Sequence, residues 1–388
     1  MCLCAKTLYR PAVLAFLAAV LGAPAQAAED PAPAKKSFRD LVTDDEDGRF
    51  DVSEMLFSSP FSFLPIPILI TEPAVGYGVG LAPVWFHQKP DLSSGQLVPP
   101  SVSVLAGFTT SDGSRGGGGG HFHSWKHDTW RLLGFAGRAS LDLESAGVST
   151  EADGDRSFEY SLASTFLLLE GSRKMSPRTR LGLRYLYVDS EVGIEGGDPS
   201  ADRSISGDSA IGGLGIFLEL DSRDNVITPT RGHRVELRPM YFGEVFGGDA
   251  DYVRVDAAYT GYWSRGPLGF GLRLDAGWTE DGAPFYAKPF VSLRGVPAAA
   301  LLGQEVLSAE PEIDWNVTSR WTLLLFAGAG RATNDFPLLG ETHRDIHTGG
   351  AGFRYLLARI LGMRAGLDVA WNSEGDHAFY VIVGTPWK

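Results

Sequence analysis

The stretch RGHRVELR at residues 231–238 decides the fold, because apolar and charged residues alternate along it. Val235 and Leu237 alternate with Arg234 and Glu236. Successive side chains of a β-strand point to opposite faces, so one face of this strand is apolar and the other is charged. Charges on every other residue are costly in a sandwich core, whereas a hydrated lumen accepts them. The stretch therefore predicts a strand of a transmembrane β-barrel.

The same alternation recurs along the chain and predicts an all-β fold, a transmembrane antiparallel barrel of about 16 strands. An even number is expected of a single-chain outer-membrane barrel. Short turns alternate with long loops, so both ends of the chain are predicted to lie in the periplasm. The predicted strands are 63–72, 75–87, 99–109, 115–126, 129–142, 157–170, 178–190, 209–221, 231–243, 251–263, 267–279, 304–316, 320–331, 345–357, 361–372 and 376–387.

The N-terminus predicts export through the inner membrane. Lys6 and Arg10 precede a short apolar run, and a small-residue cleavage site follows it at Ala25-Gln26-Ala27. This order of features is typical of a signal peptide, and the run is too short for a spanning helix. The predicted organisation is a signal peptide at 1–27, a periplasmic lead at 28–60 and an outer-membrane barrel at 61–388.

Composition restricts the function classes. Cys2 and Cys4 are the two cysteines, and both precede the apolar run, so no disulfide is expected in the mature protein. The net charge of -13 argues against a nucleic-acid partner. No Gly-x-Ser-x-Gly motif occurs and no Ser, His and acid cluster can be placed on one rim, so the chain is not predicted to be an enzyme. No cofactor is expected, and the predicted partners are outer-membrane lipid and lipopolysaccharide.

Two patterns could hold a metal ion. His121, His123 and His127 with Asp128 have a suitable spacing, but a strand end and turn beside the glycine run 116–120 is the favoured interpretation. The acidic lead nearly fits a calcium loop, although Thr43 stands where the first aspartate is expected. Whether the lead binds calcium stays open at this point. The residues at the matching positions are Asp45, Asp47, Asp51 and Glu54.

Three stretches resemble the BamA/TamA family of outer-membrane barrels, within the bacterial surface antigen superfamily. They are residues 69–80 at the first hairpin, 221–232 around Asp-Ser-Arg-Asp-Asn and Thr-Arg-Gly, and Leu293-Arg294-Gly295-Val296-Pro297. Taken together, the order and the spacing of the three stretches resemble those of the family. The family motif residues in the second stretch are Asp221, Arg223, Asp224, Asn225, Arg231 and Gly232.

The resemblance implies a barrel that aids protein or lipid assembly or translocation at the outer membrane, with a periplasmic scaffold or unfolded barrel clients as partners. Family members that insert other barrels resemble one another in their periplasmic POTRA domains. The region before the predicted barrel has no room for one, so the chain resembles a barrel-only branch. The alternative is a structural barrel or a narrow plugged pore without client handling.

The resemblance also implies a loop latch. The loop 280–303 is expected to fold into the lumen, where Arg294 meets an acid on the following strands and Gly295 permits a close turn. Gly328 stands where the family has an acid in a Phe-x-Asp-x-Gly segment, so Glu312 is the first choice of partner. Lumen water should limit the contribution of this pair to about 1 kcal/mol.

A weak seam is predicted between the first and last strands. Pro65 and Pro67 lie two residues apart, so both missing N–H groups fall on one edge of the first strand. Such an edge is tolerated where pairing is short or absent. The edge is therefore placed against the last strand, as an opening toward lipid.

Overall fold

The computed structural model describes residues 38–58, 63–87, 99–146, 157–195, 204–336 and 340–387. The predicted signal peptide lies outside the described residues. Two short helices precede the barrel: α1 (Phe38–Leu41) and α2 (Ser53–Ser58). None of the helices in these ranges is both long enough and apolar enough to cross a membrane.

A single antiparallel sheet of 16 strands follows, in which each strand pairs with the next along the chain. The predicted fold class is thereby confirmed. The strands are β1 (Phe63–Ile70), β2 (Gly78–Phe86), β3 (Val102–Thr110), β4 (Arg115–Trp125), β5 (Trp130–Ala146), β6 (Ser157–Ser176), β7 (Thr179–Glu195), β8 (Ser204–Asp221), β9 (Gly232–Phe242), β10 (Tyr252–Arg265), β11 (Leu268–Thr279), β12 (Glu305–Asn316), β13 (Trp321–Phe336), β14 (Gly340–Ala358), β15 (Met363–Asn372) and β16 (His377–Val383).

The side chains of the decisive stretch divide between two faces as predicted. Val235 and Leu237 are exposed on the outer face of β9, where lipid would lie. Arg234 faces inward and its Nη2 lies 2.7 Å from Glu219 Oε2 on β8. The inward charges are therefore paired across neighbouring strands as well as placed inside the barrel.

The two ends of the barrel differ. We call the proximal end the one where β1 begins and β16 ends, which also carries the turns 126–129, 266–267, 317–320 and 359–362. The distal end carries the connection 280–304. This connection folds inward, and Tyr286, Phe290 and Ala299 are buried with residues of β5–β10 in one apolar cluster. The distal part of the lumen is thus filled by protein.

The first and last strands are the free edges of the sheet. β1 pairs with β2, with Pro65 opposite Pro83 and Pro67 opposite Leu81. Among the described strands, no hydrogen-bonded pairing joins β1 to β16. The rings of Tyr77, just before β2, and Phe379 on β16 stack near this gap, with centroids 5.4 Å apart. The barrel is therefore nearly closed, with one unjoined pair of edges.

The last strand is shorter than predicted. β16 ends at Val383, because Gly384 adopts a φ of 81° and turns the chain away from the barrel wall. This left-handed conformation is accessible to glycine and strained for most other residues. The prediction that the strand runs to residue 387 was wrong.

Candidate functional site

Arg294 lies inside the barrel on the inward-folded loop between β11 and β12, with 4% of its surface exposed. Its neighbour Gly295 has a φ of 92°, and a Cβ there would lie 3.2 Å from Ala370 Cβ. The Gly295 N–H donates to Tyr380 Oη at 2.9 Å, and Asn372 Nδ2 donates to the Gly295 carbonyl at 3.0 Å. Gly295 therefore lets the loop backbone rest directly on β15 and β16.

Glu310 on β12 makes the aligned hydrogen bonds to Arg294. The Arg294 backbone N–H donates to Glu310 Oε2, and its Nε donates to Glu310 Oε1, both at 3.0 Å. The guanidinium also lies over the ring of Phe326, with Cζ 3.5 Å from the ring centroid. A charge-assisted pair and a cation–π contact thus fix the same side chain.

Glu312 contacts Arg294 less favourably. Its Oε2 lies 2.7 Å from Arg294 Nη2, but neither atom has an aligned hydrogen bond. The contact is therefore a Coulombic pair. The structure brings together the three residues predicted for the latch, and it gives Glu310 the hydrogen-bonding role that the sequence analysis had assigned to Glu312.

A third acid, Asp368 on β15, completes the cluster. Arg294 Nη1 donates to Asp368 Oδ2 at 2.8 Å, and Arg354 Nη2 on β14 donates to the same oxygen at 2.8 Å. Two guanidinium groups thus face the three carboxylates of Glu310, Glu312 and Asp368. We call these five residues the arginine cluster. All are buried, so the cluster is not weakened by lumen water as the sequence analysis assumed.

The glycine that replaces the expected acid has its own packing role. A Cβ at Gly328 would lie 3.2 Å from Leu293 Cδ2, and one at Gly330 would lie 2.4 Å from Val291 Cγ1. The side chains of Val291 and Leu293 occupy this space in a buried apolar cluster of the loop. The inner face of β13 therefore receives the loop, while Asp368 supplies the acid from β15.

The C-terminal tail also reaches the cluster. Trp387 is 1% exposed inside the barrel, and its Nε1 donates to Glu310 Oε1 at 2.6 Å. The predicted last strand, 376–387, includes Trp387. This prediction was wrong, because the turn at Gly384 directs the tail into the lumen.

The family motif builds the proximal turn between β8 and β9. Arg223 pairs with Asp221, with Nη2 2.7 Å from Oδ2. Asp224 Oδ1 accepts the backbone N–H groups of Thr230 at 2.9 Å and Arg231 at 3.1 Å, which closes the turn. The last motif residue, Gly232, has a φ of 99°, and a Cβ there would lie 2.3 Å from the Ser222 carbonyl oxygen. These residues act on the shape of the turn.

The same turn crosses the proximal mouth of the barrel. Asn225 Nδ2 donates to the Leu361 carbonyl of the β14–β15 turn at 2.9 Å. The Thr385 N–H donates to the Ile227 carbonyl at 2.9 Å, which ties the tail to the turn. Arg231 Nε donates to Ser264 Oγ at 2.9 Å. The motif thus connects opposite sides of the proximal end and holds the tail.

The acidic lead binds an arginine. Arg320, in the turn between β12 and β13, is completely buried, and its guanidinium donates to Asp44, Asp47 and Asp51. Arg359 adds contacts to Asp44 and Asp47. Two of the four carboxylates predicted as calcium ligands, Asp47 and Asp51, therefore surround a guanidinium. We call Asp44, Asp47, Asp51 and Arg320 the lead clamp.

The lead clamp lowers the pKa of two of its carboxyl groups. Hydrogen bonds from Arg320 hold the pKa of Asp47 well below its ordinary value of 3.8. Burial alone would raise the pKa of Asp51, but hydrogen bonds from Ser53 and Arg320 lower it overall. A lowered pKa in the folded state means that the clamp stabilises the docked lead above the ordinary carboxyl pKa, and that this stabilisation is lost as pH falls through the lowered value.

We expect the lead to stay docked from neutral pH to well below pH 3.8. A nitroxide label at the exposed position Asp45→Cys should give the electron paramagnetic resonance spectrum of an immobilised label until the pH falls well below 3.8. Arg320→Lys should mobilise the label at neutral pH, because an ammonium group cannot bridge three carboxylates as a planar guanidinium does. An immobile label in Arg320→Lys would contradict this role of the clamp.

The histidine pattern does not gather around Asp128. Asp128 accepts hydrogen bonds from Arg131 Nε at 2.6 Å and Arg180 Nη2 at 2.9 Å. His121 and His123 lie on the opposite, outer face of β4, beside one another. Within the described ranges, no group of three or more His, Cys, Asp or Glu residues has the geometry of a metal site.

Together, the sheet and the arginine cluster define a single-chain transmembrane β-barrel with an inward-folded loop and one unjoined pair of strands. Residues 123–293 match the model of the Omp85 superfamily domain. No curated protein sequence matches the chain. Within those residues the chain therefore carries an Omp85 superfamily domain, as part of the 16-stranded barrel, in agreement with the resemblance found in the sequence.

Solved structures of the same architecture support the fold. BamA from Haemophilus ducreyi lacking POTRA domains 1–3 superimposes with a TM-score of 0.57 at 13% identity, over 83% of this chain and 70% of that one. CdiB from Acinetobacter baumannii superimposes with a TM-score of 0.51 at 12% identity, over 83% of this chain and 59% of that one. CdiB from Escherichia coli superimposes with a TM-score of 0.53 at 9% identity, over 83% of this chain and 63% of that one. The chain spans less than two thirds of either CdiB.

Proposed function

We propose that this barrel aids the assembly or translocation of proteins or lipids at the outer membrane, without enzymatic chemistry. The observation that carries the proposal is the pair of unjoined edges, β1 and β16. A strand edge with free N–H and C=O groups can pair with an incoming strand. The Omp85 superfamily domain and the likeness to BamA and CdiB support this function over an inert structural barrel.

The proximal end faces the periplasm in this proposal, since it carries most of the short turns and both ends of the barrel sheet. Residues 28–60 then form a periplasmic lead, and a signal peptide at 1–27 directs export. The lead clamp would hold the lead beside the turns 317–320 and 359–362. A client or scaffold arriving from the periplasm would meet this surface first.

The seam gives a direct test. Pro65 and Pro67 interrupt the N–H row of β1, so cysteine pairs joining residues 66–70 to 378–382 should crosslink poorly near the prolines. Cysteine pairs across the regular β15–β16 ladder, such as Val369 with Phe379, are the control and should crosslink readily, because these residues lie directly opposite one another. Equal crosslinking at both places would contradict an unjoined seam.

Client handling is tested by reconstitution. Liposomes that contain the full chain should accelerate the folding of an unfolded barrel client, relative to protein-free liposomes. A reducible bifunctional thiol crosslinker that spans the gap between cysteines on β1 and β16 should abolish the acceleration, and reduction should restore it. If the open form gives no acceleration, the barrel does not assemble clients, and the alternative of a plugged structural barrel takes its place.

A further inference from the structure

A row of rings runs along the outer face of β2–β5 at the proximal end. The face is outward, because His123 is paired with Leu132, whose side chain is exposed. Neighbouring ring centroids lie 5.3 to 6.3 Å apart. We call the whole set the imidazole row. Its members, in spatial order, are His87, His121, His123, Trp125 and Trp130.

Ser103 links two of the imidazoles. Its Oγ lies 2.8 Å from His87 Nε2 and 2.8 Å from His121 Nδ1. A hydroxyl donates a single hydrogen, so one ring receives it and the other donates to Oγ. The ring that accepts from Ser103 carries its own N–H on its other nitrogen, which points away from Ser103. The row therefore presents an N–H donor that is not used by Ser103.

Exposed cations lie near this row. Arg173 Cζ lies 5.2 Å from the centroid of the Trp130 ring. The adjoining turns carry the exposed Lys126 and Arg178. The nearby carboxylate of Asp128 is bound by Arg131 and Arg180. A protein with a net charge of -13 thus has a locally basic strip beside the row.

We propose that the imidazole row binds the phosphate of an anionic lipid headgroup in the leaflet at the proximal end. Tryptophans at strand ends mark the headgroup level of a β-barrel, so Trp125 and Trp130 fix the depth of the row. The imidazole N–H groups supply hydrogen-bond donors to phosphate oxygens, and the basic strip supplies the long-range attraction. The neighbouring exposed Leu132 side chain provides apolar contact for an acyl chain.

The proposal is tested by native mass spectrometry of the full chain in detergent, titrated with phosphatidylglycerol. Replacing His87, His121 and His123 by phenylalanine together should weaken binding about fivefold, because a phenyl ring keeps the ring shape but donates no hydrogen bond to phosphate. The matched control is His233→Phe. His233 is a lone imidazole at the proximal end, stacked with Tyr259 and edge-on to Trp263, and its replacement should leave binding unchanged.

Two further binding measurements identify the ligand. Phosphatidylcholine should bind the parent more weakly than phosphatidylglycerol, and inorganic phosphate should fail to displace the lipid. Heat-modifiable gel migration verifies that each variant is folded. Phosphatidylglycerol binding equal to that of the parent in the folded triple variant would overturn the proposal, and so would displacement by inorganic phosphate. Neither outcome depends on whether the barrel handles clients.

Discussion

Replacing Arg294 by alanine should lower the free energy of unfolding by about 3–5 kcal/mol, since removal of one partner from a buried ion pair leaves charge uncompensated. Glu310, Glu312 and Asp368 would remain buried with Arg354 as the cluster's remaining cation. The loss of the Phe326 contact adds to the effect. Urea unfolding in detergent micelles, followed by tryptophan fluorescence, measures it.

Arg331→Ala is the matched control. Arg331 on β13 pairs with Asp345 on β14 at 2.6 Å, but 53% of the arginine side chain and 41% of the aspartate side chain are exposed. An exposed pair of this kind contributes about 0–1 kcal/mol. Adding Glu312→Gln to Arg294→Ala should recover part of the lost stability, because it removes one uncompensated charge. Equal, small effects of Arg294→Ala and Arg331→Ala would show that the cluster does not stabilise the fold.

The same variants test the latch. Arg294 joins the inward-folded loop to β12 and β15, so its loss should loosen the loop within the lumen. In planar bilayers, Arg294→Ala should raise the open probability or the current noise, and Glu312→Gln should act in the same direction with a smaller effect. Parent-like conductance in both variants would mean that the loop is held without this arginine.

The sequence predicted the strands well, because a period of two is imposed by the barrel wall itself. Residues 231–238 show this clearly: lipid on one side and the lumen on the other force every second side chain to differ. Some bounds differ, since β6, β7 and β8 each extend at least five residues beyond the predicted strands. β16 ends early at Gly384, where one residue with positive φ redirects the chain. A glycine in an apolar strand gives no local sign of its φ, so the turn could not be anticipated from the pattern.

The interior was predicted less well, because its partners come from distant parts of the chain. Asp368 meets Arg294 across 74 positions of sequence, and nothing near either residue encodes that contact. The acidic lead shows a different limit of prediction from sequence. Carboxylates spaced to surround a dication also surround a guanidinium, so the residues 44–51 fit calcium in the sequence and Arg320 in the structure.

The C-terminal tail is a second place where a large effect is expected. Trp387 packs against Tyr262, with ring centroids 5.8 Å apart, and lies directly over Gly271. Its indole N–H donates to Glu310, which also binds Arg294. The tail thus connects the end of β16, at the free edge of the sheet, to the acid that holds the loop.

Trp387→Ala should lower the free energy of unfolding by about 3–5 kcal/mol, because a fully buried indole leaves a large cavity. Trp387→Phe should cost less, mainly the bond to Glu310, about 1–3 kcal/mol. Gly271→Ala should also lower the free energy of unfolding without changing the tail itself, because its Cβ would lie 2.5 Å from the indole ring of Trp387. Gly171→Ala is the matched control, since a Cβ at Gly171 would meet nothing within 4 Å. Urea unfolding compares the four variants. If Gly271→Ala behaves like Gly171→Ala, and Trp387→Ala like the parent, the tail does not occupy the lumen.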